Sequence, residues 1–173
     1  MLNYELKSLL DKLAEAIVGY LDLEYPINNA KDIVEQLGGK IRYDTSMSEF
    51  AEAIGVKTKD GFEIRVSPNK TDERTTYEVI LELCEMILFM GLLVNKEMWS
   101  NQPYNTEYKN KYTEYECTRH LAQSILMPEY EFTVEIYKNT INNSVNTKNV
   151  AKKFGVPIDI ARSRALELYL IEW

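Results

Sequence analysis

The chain of 173 residues has the size of one domain, and its 45% apolar residues are enough to fill a single core. A net charge of -7 argues against non-specific nucleic-acid binding by the molecule as a whole. No uncharged apolar run reaches the roughly eighteen residues of a membrane span, and the amino end, Met1-Leu-Asn-Tyr-Glu-Leu-Lys7, is amphipathic rather than basic-then-apolar, so a soluble, cytoplasmic chain without membrane contact is expected.

Leu6, Leu9, Leu10, Leu13, Ile17 and Leu21 recur at helical spacing and predict an amphipathic helix within residues 1–24. Pro26 interrupts the pattern, Asn28 or Asn29 offers a cap, and a second helix is expected over Ala30 to Leu37, ended by Gly38-Gly39. Lys40 to Tyr43, a stretch within Ala51 to Lys57, and Phe62 to Val66 read as strands, the last two joined at the hairpin signal Asp60-Gly61. They predict a small three-stranded antiparallel sheet. From Thr71 the period returns to helical. Val79, Ile80, Leu83, Met86, Ile87 and Met90 form one apolar face and Tyr77, Leu81, Cys84 and Leu88 another, leaving only Glu78, Glu82 and Glu85 polar. This is the expected central, mostly buried helix, stopped or bent at Gly91. Asn95 to Asn110 reads as a long loop. Helices are predicted over 111–127, 134–139, 147–154 and 158–170, so that 134–173 forms a helical tail on one domain spanning 1–173.

Four groups of residues carry possible chemistry. The stripe Glu78, Glu82, Glu85 is an acidic ligand patch or a solvated edge on an apolar helix. Cys117 and His120, at i and i+3 of one helix, could join Glu85 in a metal site, although a cysteine on an apolar face is more often a small core residue. Both cysteines, Cys84 and Cys117, are expected to be reduced. Val150 to Ala161 has the outline of a helix-turn-helix, with Lys148, Lys152, Lys153, Arg162 and Arg164 lending it local positive charge for nucleic acid. Trp99, Tyr104, Tyr108 and Tyr112 supply either a recognition surface or scattered loop aromatics.

Three segments in this order resemble the ImmA/IrrE family of zinc metallopeptidases, which regulate bacterial mobile elements and stress responses by acting on repressors. They are Ile33-Val-Glu-Gln-Leu-Gly-Gly-Lys-Ile-Arg-Tyr43 with Gly61-Phe-Glu-Ile-Arg-Val-Ser67; Arg74 to Phe89; and Leu121-Ala-Gln-Ser-Ile-Leu-Met-Pro128, followed by Val150 to Pro157 and Arg164 to Leu168. The resemblance spans about Ala30 to Leu170 and implies a zincin-like α+β domain, a helical bundle packed on the small sheet. It places the family's His-Glu-x-x-His on Leu81-Glu82-Leu83-Cys84-Glu85, with the implied zinc ligands at Leu81 and Glu85, the general base at Glu82 and the third ligand at Cys117.

Leucine has no lone pair for zinc. Without a metal, Glu82 would face water of pKa about 15.7, roughly 11 units above a carboxylate, a gap on the order of 15 kcal/mol. The expectation is therefore a catalytically degenerate domain, a regulatory or binding protein with no cofactor, vestigial Glu82, and a repressor-type protein as partner. Two alternatives stand beside it. One is an active zinc endopeptidase rebuilt on Glu85, Cys117 and His120, with Glu82 as base. The other is a DNA-binding regulator using Lys152, Lys153, Arg162 and Arg164.

Overall fold

The structure, a computed structural model, describes residues 2–105 and 112–172. Helix α1 (Tyr4–Leu21) starts where Asn3 accepts a hydrogen bond from the Leu6 amide at 2.8 Å, and it buries Leu10, Ala14, Ile17 and Leu21 along one stripe. α2 (Ala30–Gln36) leads through Gly38 into β1 (Gly39–Tyr43), followed by β2 (Ile54–Thr58) and β3 (Gly61–Val66). The class expected from the pattern, helices on a small three-stranded sheet, is the one observed.

The pairing differs from expectation in one strand. The order is β1-β3-β2, with β2 antiparallel to β3 but β1 parallel to it, so the sheet is mixed. Alternation along a strand reports which face is buried and carries no information on direction. Here the chain leaves β1, runs through residues 44–53 to the far edge and returns by the tight β2–β3 hairpin, which supplies the long crossover that parallel neighbours need. Gly61 makes this possible. Its φ is +139°, and a Cβ there would lie 1.8 Å from the Gly38 carbonyl oxygen.

α3 (Asp72–Glu85) is capped by the Thr71 hydroxyl and passes into a π-helical turn, Met86–Met90, which Gly91 ends in the left-handed region. The residues that follow hold a short helix, α4 (Lys96–Asn101), inside the predicted loop. α5 (Tyr112–Leu126) lies between α1 and α3 and packs on both. α6 (Glu129–Lys138) begins directly after Pro128, earlier than expected, and buries Phe132 and Ile136. A two-residue hairpin, β4 (Thr140–Ile141) with β5 (Ser144–Val145), precedes α7 (Thr147–Phe154) and α8 (Ile158–Glu167), which pack on each other. Among the described residues no helix is long and apolar enough to cross a membrane.

Candidate functional site

α3, α5 and α8 enclose a cleft of about 470 Å³. Tyr77, Glu78 and Leu81 line it from α3, Glu116, Arg119 and Gln123 from α5. Leu81, the first implied ligand position, thus faces the cleft with a hydrocarbon side chain that is 7% exposed.

The other two positions of the implied motif point elsewhere. Glu82 reaches back to the sheet, where its Oε2 accepts a hydrogen bond from the Gly55 amide at 2.7 Å. The missing side chain at Gly55 permits this approach, because a Cβ there would lie 2.8 Å from that oxygen and 2.4 Å from the Met86 methyl. Glu85 is buried and is not part of the cleft lining. The wall residues at i, i+1 and i+4 are Tyr77, Glu78 and Leu81, one helical turn before the set that the resemblance implies.

Nor is the glutamate stripe solvated. Glu78 Oε2 accepts from the Ala53 amide at 3.0 Å and from the Lys70 ammonium, which also donates to the Ala51 carbonyl. Glu78 and Glu82 therefore satisfy backbone donors on the edge of the sheet and its approach, groups that would otherwise be left unpaired beside the helix.

The donor set at the implied positions does not fit zinc. Cys117 lies half-buried on α5, outside the cleft lining, and burial, then the charges of Glu116 and Glu114, push its thiol pKa up, away from the thiolate a metal requires. His120 is buried with both ring nitrogens engaged, Nδ1 with Glu167 at 2.7 Å and Nε2 with Asp11 at 3.0 Å. Among the described residues no group of three or more His, Cys, Asp or Glu side chains is placed to hold a metal ion. The rebuilt site of Glu85, Cys117 and His120 is thus not assembled. His120 is spent on tying α5 to α1 and α8.

The basic set of the C-terminal helices also divides. Lys152, Lys153 and Arg162 are exposed, whereas Arg164 is 1% exposed and cannot contact nucleic acid. α7 and α8 do form a helix-turn-helix outline around Gly155 in the left-handed region. A recognition helix presents its first residues to base edges. In α8, Asp159 is instead clamped by the Arg74 guanidinium at 2.7 and 2.8 Å, and Ser163 turns into the cleft.

Trp99 and Tyr104 both lie against Lys57, with Tyr104 still 51% exposed. The Lys57 ammonium lies 5.4 Å from the Trp99 ring centre and 5.1 Å from that of Tyr104, and it donates to the Trp99, Ser100 and Gln102 carbonyls at 2.5, 2.9 and 3.1 Å. It closes the carboxyl end of α4, where the helix dipole favours a cation. Lys57→Met removes this donor from all three carbonyls, of which that of Trp99 keeps the Gln102 amide, and is expected to lower stability by about 1–3 kcal/mol in urea denaturation; an unchanged midpoint would show that the contact contributes nothing. Tyr108 and the Tyr112 side chain lie outside the described residues.

Compared with known proteins, the chain matches no protein-family model and no curated protein sequence. Among solved structures it is similar in fold to a Mycobacterium tuberculosis transcriptional regulator, with a TM-score of 0.62 and 13% sequence identity. The likeness covers 90% of this chain and 46% of that one, so the chain corresponds to about half of the neighbour's length.

Proposed function

We propose that this protein is a non-enzymatic regulator, a catalytically degenerate member of the ImmA/IrrE metallopeptidase type that acts in the cytoplasm by binding a protein partner of the repressor class. The observation that carries the reading is the cleft wall itself. Leucine stands where an imidazole is required, and the neighbouring Glu82 is held by the Gly55 amide instead of facing the cleft. A carboxylate held in that way is a structural group, and without a metal it has no activated water to work with. The fold neighbour's description as a transcriptional regulator agrees with a regulatory role for this architecture.

The test is metal content and proteolysis together. Protein purified without chelator is expected to contain no stoichiometric transition metal and to leave peptide and repressor substrates intact. A stoichiometric metal that disappears in Cys117→Ala, or cleavage that stops on adding EDTA, would overturn the proposal.

A further inference from the structure

A second concavity lies on another side of α5. α1, Tyr25, the end of α5 and the start of α6 surround a groove of about 750 Å³, within the size range of small-molecule sites. Ala14, Val18, Tyr25 and Pro128 give it apolar walls. Among its polar lining residues, Asp11, Ser124, Thr133 and the acids at its mouth, Arg164 is the cation. Arg164 reaches the groove from α8 with a side chain that is 1% exposed, and its Nε and Nη1 have no hydrogen-bond partner among the described residues. The Glu167 oxygen facing Nη1 stands 3.8 Å away, beyond hydrogen-bond reach, and is itself unpartnered.

Buried N–H groups of a guanidinium are almost always met by an acceptor, so an unmet pair beside an apolar groove points to a missing anionic group. The charges of Glu167, Asp11 and Glu129 all act on Arg164, while His120 bridges Asp11 and Glu167 and Lys7 pairs with Glu167. The acids at the mouth, Glu15, Glu129 and Glu131, are exposed and screened by solvent.

We propose that this groove binds a small organic carboxylate with an apolar, ring-sized body, the carboxylate accepting from the Arg164 guanidinium and the body lying along Ala14, Val18 and Tyr25. Such a ligand supplies the acceptor that Arg164 lacks and covers the apolar walls with one molecule. The site stands apart from the cleft and does not depend on whether the cleft is degenerate.

Phenylacetate and phenethylamine, alike in body and opposite in charge, serve as probes on the whole chain by NMR and calorimetry. Phenylacetate is expected to bind saturably and to move the Arg164 Nε–H resonance, with phenethylamine binding at least about tenfold more weakly. Gly19→Trp provides the steric control. Gly19 lines the groove and a Cβ there meets nothing within 4 Å, so the indole can lie across the mouth without disturbing the charged cluster, and phenylacetate affinity is expected to fall about tenfold. Absence of saturable phenylacetate binding, equal or tighter binding of the amine, or an Arg164 resonance that stays still at saturation would each overturn the assignment, and all three are read on the unsubstituted protein.

Discussion

Glu78→Ala is expected to destabilise the protein by about 3–5 kcal/mol, because it removes one member of a buried ion pair and leaves the other charged. Lys70 and Glu78 side chains are 4% and 10% exposed, and the same carboxylate holds the Ala53 amide. In a chain of this length such a loss lowers Tm by on the order of 10 °C. Glu78→Gln keeps an acceptor for the amide and for the ammonium, and it should recover part of the loss. Urea unfolding of the two variants separates this role from that of a free cleft acid awaiting a partner. If Glu78→Ala unfolds at the wild-type midpoint, the carboxylate is not what holds the approach to β2 against α3.

The second large effect is expected at His120, the only histidine in the chain. Burial alone would draw its imidazole down, but the hydrogen bonds and charges of Asp11 and Glu167 outweigh burial and hold its pKa above the ordinary 6.5. Burial would likewise raise Glu167, yet the hydrogen bond and charge of His120, with Lys7 behind them, keep it at about 2 against an ordinary 4.5. Asp11 is lowered for the same reason, its own burial being offset by His120 and Ser124.

These directions set a pH window. A raised histidine stabilises the fold fully below its unfolded value, and that contribution fades as pH climbs through the folded one. A lowered carboxylate stabilises fully above its unfolded value and loses its contribution as pH falls toward the folded one. Stability from this network is therefore greatest between about pH 4.5 and 6.5 and declines on either side. His120→Ala strands two carboxylates in a partly buried site and should cost about 3–5 kcal/mol near pH 6, with the loss shrinking as pH rises. Urea midpoints from pH 4 to pH 9 measure both. A wild-type curve that stays flat above pH 6, or a variant that keeps the same alkaline decline, would remove His120 as the origin.

Both predictions concern residues whose type the pattern made visible and whose partners it did not. Glu78 and Glu82 stand out as the polar stripe of an apolar helix, and solvent is the ordinary destination of such a stripe. The structure sends them to Ala53 and Gly55, more than twenty residues earlier in the chain. His120 sits one turn after Cys117, which suggests a metal site by spacing alone. Its actual neighbours, Asp11 and Glu167, come from opposite ends of the chain. Arg164 reads as part of a basic surface because Lys152, Lys153 and Arg162 flank it, and only the packing of α8 shows it to be interior. The β4–β5 hairpin did have a local signal. Asn142-Asn143 between Thr-Ile and Ser-Val is a two-residue turn of residues that tolerate positive φ, and both adopt it.

What the order of amino acids determined by itself was local: the helices other than α4, the three strands, the stop at Gly91, and the absence of a zinc donor at Leu81. Those features follow from side-chain period, backbone preference and ligand chemistry, each of which acts over a few residues. The direction of β1, the destinations of Glu78 and Glu82, the bridging of His120 and the burial of Arg164 were decided only when distant segments met. Hydrogen bonds and charge pairs are chosen by distance in space, and the sequence separation of the partners leaves no periodic trace of that choice.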